Sequence, residues 1–209
     1  MNLAEIADDY IKEYREAAQR ELRYHANQRS LGDAIREASF PGGKKHPHQY
    51  RIPPPILAAA ERALQRETAR IGKASSFSDL HACVEGTIGF IRGIGPLAIY
   101  DITHRIGAFL RLVPEFVYLH TGARDGARAL GVQGVTANIG QLPKELNRLS
   151  AAEIEDLLCI YKADLYSLRG VTSRSALRDC HSDRSNNRRS CSTRRRPRLQ
   201  RLALPSSSC

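Results

Sequence analysis

Gly93-Ile94-Gly95-Pro96 separates two apolar helical patterns and constrains this chain more than any other stretch. Leu80, Cys83, Val84, Ile88 and Ile91 recur at helical spacing before it, and Ile99, Ile102, Ile106 and Phe109 do so after it. Two glycines open backbone angles closed to other residues, so the chain can reverse within a few positions with its amides facing outward. Pro96 suits the first position of the helix that follows. The pattern predicts helix, tight turn, helix over about 78–111. Such a turn can hold a phosphate, and the same turn also serves as a plain packing device between helices.

Apolar spacing fills in the rest. Leu3, Ile6, Tyr10, Tyr14, Ala17 and Ala18 predict one amphipathic helix over 3–24, and a short helix covers 31–39 until Pro41-Gly42-Gly43 stops it. A further helix runs from Pro55 or Ile56 to Ile71. Ser76 with Asp79, and Ser150 with Glu153, read as capping starts of two more. No convincing alternating strand run appears. The expected fold class is all-α, a compact multi-helix domain of roughly six to eight helices over 1–168 with the helix-hairpin-helix inside it.

Charge divides the chain differently. The net charge is +10, but residues 170–209 hold ten Arg and two Asp, giving +8, whereas residues 1–169 hold 22 basic and 20 acidic residues, giving +2. Binding to an acidic partner by the body must therefore rest on local placement of Arg and Lys. Residues 169–209 are poor in large apolar groups and predict a disordered basic tail. That tail reads either as an electrostatic anchor for nucleic acid or as an unselected extension. Five cysteines without CxxC spacing predict neither a disulfide framework nor a zinc module. The acidic start and the lack of an apolar run of ~20 residues predict a soluble cytoplasmic protein without membrane association. No metal or cofactor motif is recognised.

The segment 41–55 crowds Lys44, Lys45, His46, His48 and Arg51 onto a proline-stiffened stretch, with Tyr50 as a stacking face. It reads as a phosphate contact or as a solvated connector, and His46 with His48 is a weak metal pair. At 117–131, Gly122, Ala123, Gly126, Ala127 and Gly131 form a small-residue ridge. Arg124 and Arg128 make a basic pair there that serves either a second phosphate contact or a neutralised core helix, and His120 stands at the entrance.

Ile91-Arg92-Gly93-Ile94-Gly95-Pro96-Leu97-Ala98 resembles the helix-hairpin-helix DNA-binding family. The resemblance implies a DNA phosphate held by backbone amides at Gly93, Gly95 and Leu97, around Ile94, with no base read. Arg92 and Arg105 are the side chains placed beside it, and Lys44, Lys45, Arg124 and Arg128 assist. A wider likeness is to helix-hairpin-helix DNA glycosylases, through 113–120 and Arg128-Ala129-Leu130-Gly131. In that match the family's catalytic Asp falls at Tyr118 and its Lys at Leu97, so the chemistry does not carry over. The blocks are also similar to a group of uncharacterised bacterial proteins, which implies no activity. Sequence-tolerant DNA binding is thus the leading expectation. The alternatives are a nucleic-acid-processing enzyme using Glu115, His120, His46 or His48, and a non-catalytic protein-interaction domain in which the glycines only pack helices.

Overall fold

Capping side chains set four of the helix starts. Asn2, Ser30, Ser76 and Ser150 each accept a hydrogen bond from the backbone amide three residues on, and at Asn2 and Ser150 the glutamate at that position reaches back to complete a capping box. The computed structural model describes residues 1–168, which fall within one compact unit, and the expected basic tail lies outside the described residues. Among the described residues there are ten α-helices: α1 (Leu3–Glu13), α2 (Arg15–Ala26), α3 (Leu31–Ser39), α4 (Pro54–Arg66), α5 (Thr68–Ile71), α6 (Phe77–Ile88), α7 (Pro96–Leu110), α8 (Thr121–Ala129), α9 (Ala151–Ile160) and α10 (Lys162–Leu168). The fold is all-α, as the periodicity predicts.

Two predicted helices are each divided in two, and a further helix follows the last one. The first breaks at Tyr14, where α1 ends with Ile6, Ala7 and Tyr10 buried and α2 begins a course against α7. Tyr14 itself is exposed and stacks on Tyr10, so the inward stripe stops one turn earlier than its spacing suggests. The other break falls at Glu67, between α4 and α5, while α9 ends at Tyr161 and is followed by α10, which the apolar spacing does not announce. One feature escapes the periodicity. Two-residue strands β1 (Val117–Tyr118) and β2 (Thr136–Ala137) pair antiparallel with Val117 opposite Ala137, and a ladder this short leaves no alternation to detect.

Two apolar clusters hold the described chain. One joins α3 to α7 through Ile35, Leu57, Leu64, Val84, Ile102 and Ile106. The other joins α1 to the C-terminal helices through Ile6, Tyr10, Val117, Ala127, Leu157, Leu158 and Leu165. Each fully buried Leu or Ile among them contributes about 1.5–3 kcal/mol. In the second cluster the small-residue ridge of α8 lets α9 approach closely. A Cβ on Gly122 would lie 2.5 Å from the Cys159 sulfur, and one on Gly126 would strike the Leu158 carbonyl.

Aromatic rings fill the seam between the clusters. Phe77, Tyr100 and Tyr118 are mutually packed with centroids 5.3–6.1 Å apart, and His120 lies 4.8 Å from Tyr100. The helical period explains why α7 borders this seam. Ile99, Ile102 and Ile106 enter the first cluster, which turns Tyr100, Asp101, His104 and Arg105 toward a different face.

Candidate functional site

At the hairpin, α6 stops at Ile88 and the chain turns through amides of Ile91 and Ile94 that donate to the carbonyls of Ile88 and Ile91. Ile94 is buried in the first cluster and pins the turn. The glycines flanking it have different duties. Gly93 holds φ +103°, and a Cβ there would lie 2.9 Å from Cδ1 of Ile56 on α4, so both conformation and space require glycine. Gly95 is the N-cap of α7 in an extended conformation that any residue can adopt, and a Cβ on it would meet nothing within 4 Å. No side chain caps this helix start and no acidic residue lies in its first turn. Its leading amides, including that of Leu97, keep their outward polarity. Arg92 is exposed beside the turn, and Phe90 is 79 % exposed.

The proline-stiffened segment meets this end of the molecule at two points. Ile56, just past its prolines, touches Gly93, and His48 Nδ1 donates to the Asp101 carboxylate on α7 at 2.9 Å. Asp101, the carboxylate nearest the helix start, is thereby engaged and raises the His48 imidazole above its ordinary pKa. Lys45 Nζ donates to the Tyr50 carbonyl at 3.1 Å, while Lys44 and Arg51 are exposed.

Several residues chosen from the sequence are engaged elsewhere. Arg105 follows Leu97 by about 12 Å of helix rise; it is buried against α2, with Nε donating to Glu21 at 3.0 Å and Nη1 without a hydrogen-bond partner. It is therefore not a companion of the hairpin amides, and it pairs with Glu21 while Asp101, four residues earlier on α7, pairs with His48. Arg124 Nε donates to the Leu119 carbonyl at 3.1 Å, bracing the end of β1, and Arg128 is exposed 3.5 Å from Asp125. Glu115 accepts from the Phe77 amide at 3.1 Å and the Ser78 hydroxyl at 3.3 Å, so it caps α6 from across the fold. His120 is buried at the start of α8, with Nε2 3.5 Å from a Glu155 oxygen. Thr121 beside it holds φ 33°, a left-handed angle that a β-branched residue seldom adopts.

Between α2, α7 and α9 lies a cavity of about 420 Å³ lined by Tyr10, Glu21, His48, Tyr100, Asp101, His104, Arg105, Glu155 and Asp156. Burial governs its electrostatics. It pushes the Glu155 carboxyl well above the ordinary range, with Asp101 and Asp156 adding to the effect, and raises Asp156, whose carboxylate accepts from Tyr10 at 3.0 Å. It also lowers His104 and His120 to about 4 each. The Tyr100 hydroxyl, Arg105 Nη1 and His120 Nε2 are buried without hydrogen-bond partners.

A second, shallower pocket brings together Glu21, His25 and His46, whose ligand-type atoms all lie within 4.8 Å of one another. His46 and His48, paired by spacing in the sequence, are thus separated: His46 turns to α2 and His48 to α7. His25 is 1 % exposed, its Nδ1 has no partner, and burial lowers it to about 4. His46 Nε2 donates to the Glu37 carbonyl at 2.8 Å. Burial would raise the Glu21 carboxyl, but the Arg105 guanidinium brings it below its ordinary value. Sequence reasoning missed Glu21 and His25 because Glu21 is one of many charged residues between the apolar positions of 3–24, and His25 falls just past that predicted helix. The available signal was their i, i+4 spacing. Comparison of the chain with protein-family models, with curated proteins and with solved structures finds no match.

Proposed function

We propose that the protein binds nucleic acid, DNA by the family resemblance, through backbone phosphates at the hairpin and without reading bases. The observation that carries the proposal is the open start of α7: Gly95 leaves it without a side-chain cap, no acid sits in its first turn, and nothing lies within 4 Å of where a Cβ would be. Arg92 supplies a cationic side chain next to it. Lys44, Lys45 and Arg51 belong to a segment anchored to the same end of α7. A scaffold role for the glycines alone fits Gly93, which Ile56 crowds, but gives no reason for glycine at Gly95. A reducing, cytoplasmic setting belongs to the same reading, supported by the free thiols Cys83 and Cys159. Among the described residues no helix is long and apolar enough to cross a membrane.

Gly95→Leu is the decisive variant, because the backbone there needs no glycine. Full-length protein should bind a short duplex with an affinity that falls as salt rises, and Gly95→Leu should remain folded and lose most of that binding. Arg92→Ala should flatten the log K against log salt slope by about 0.9, the equivalent of one phosphate contact. Unchanged binding by folded Gly95→Leu would reduce the turn to a packing device. The polar cavity favours a second reading, an enzyme acting on nucleic acid with Glu155 as a protonated carboxyl donor. Strand cleavage or base release that disappears in Glu155→Gln would establish it.

A further inference from the structure

The structure assigns a metal site to Glu21, His25 and His46, and we propose that these three residues bind one divalent transition ion of the zinc class. The donor set is two imidazole nitrogens and one carboxylate oxygen, which suits zinc and its first-row neighbours rather than calcium or magnesium. Three protein ligands leave a position open, as in sites where the metal carries water or substrate. Glu21 and His25 stand one helical turn apart on α2, and His46 is delivered from the segment between α3 and α4. The ligand set thus joins two elements distant in sequence.

Separation, availability of donor atoms and access all fit. Tetrahedral bonds of about 2.0–2.1 Å place ligand atoms about 3.3 Å apart, so small side-chain rotations close a cluster already within 4.8 Å. His46 has an outer partner of the kind that metal-bound imidazoles use. Its Nε2–H donates to the Glu37 carbonyl, which fixes the tautomer and leaves Nδ1 unprotonated; that nitrogen faces the Gln49 amide, which still has the His46 carbonyl to donate to when an ion takes the lone pair. His25 supplies an independent sign: its ring is buried, yet Nδ1 lacks any hydrogen-bond partner, a costly arrangement that coordination removes. Only one Glu21 oxygen is used by Arg105, so the other remains for the ion. The pocket is open to solvent, with Ala17, Arg20 and Tyr24 around its rim.

Arg105 is the opposing charge, and it limits affinity without occupying the site. It also suggests what the open position receives. Glu21 lines both this pocket and the larger cavity, where Arg105 Nη1 is unpartnered. An anionic oxygen on the metal would therefore have a guanidinium nearby to accept from.

Cobalt(II) is the probe, added to metal-free full-length protein and followed by visible absorption. One equivalent should produce d–d bands of a four- or five-coordinate ion, displaced by zinc, without the sulfur-to-cobalt charge transfer that cysteine ligation would give. Glu21→Gln and His46→Ala should each weaken binding at least about 100-fold, the upper end of what loss of an outer partner alone costs. His81→Ala, on another helix, should leave it unchanged. His46→Ala lies in a connecting segment, which keeps the test sound if a change at buried His25 unfolds the chain. No stoichiometric binding, a charge-transfer band from sulfur, or equal affinity in Glu21→Gln and His46→Ala would overturn the assignment.

Discussion

His120 and Glu155 share a buried boundary and between them decide how one part of stability varies with pH. Burial holds the imidazole down to about 4 and the carboxyl well above its ordinary value, the latter reinforced by Asp101 and Asp156. The two shifts act on stability with opposite signs. Below the ordinary imidazole value the unfolded chain holds a proton on His120 that the folded chain has released, so this group adds stability as pH rises from about 4 to about 6.5. The folded chain keeps the Glu155 proton to higher pH than the unfolded chain does, so above the ordinary carboxylate range this group removes stability as pH rises, by up to about 1.4 kcal/mol per pH unit until the folded carboxyl ionises. Urea unfolding between pH 5 and pH 8 should show stability rising less, or falling more, in the wild type than in Glu155→Gln, and identical profiles would refute it. Little of this was visible in the sequence, where Glu155 and Asp156 stand beside the capping Glu153 with nothing to set them apart from it. Glu153 does cap, reaching back to the Ser150 amide at 2.9 Å. Glu155 turns inward because α8 brings His120 over it, and a contact made across 35 residues leaves no local pattern.

Elements were more legible than residues, because helix periodicity and caps are local. Ser76 and Ser150 begin α6 and α9 as their spacing predicts, and the small-residue ridge of α8 does carry a close helix contact. Gly126→Ala tests that contact. The added methyl would collide with the Leu158 carbonyl, backbone that cannot rotate away, so α8 and α9 must separate and stability should drop by about 1–3 kcal/mol or more. Thermal unfolding checks it, and a variant as stable as the wild type would mean that the two helices yield. Glu115→Ala should cost about 1 kcal/mol, since it removes a cap from α6. The division of 3–24 into two helices was hidden for a physical reason. No proline or glycine marks Tyr14, and the break exists because α1 packs into the C-terminal cluster whereas α2 runs along α7.

For the whole molecule, the near-neutral body and the +8 carried by residues 170–209 predict two separable contributions to nucleic-acid binding. A chain ending at residue 168 should bind with a shallower salt dependence than the full chain and should still lose its binding on Gly95→Leu. Complete loss of binding on truncation would move the activity from the hairpin to the basic segment. The all-α class was legible because periodicity reports it directly. The two-cluster arrangement was not, since it depends on which distant faces meet. That arrangement also imposes an order on biosynthesis. Tyr10 bonds to Asp156 and Asp9 to Tyr161, so α1 has partners that are made well over a hundred residues later. At about 5–20 residues per second, α1 waits roughly 7–30 s with Ile6 and Tyr10 uncovered. Residues 31–112, whose core is contiguous, can meanwhile close on themselves. The newborn chain therefore passes through a stage in which the apolar face of α1 is unmatched and open to a chaperone on the ribosome.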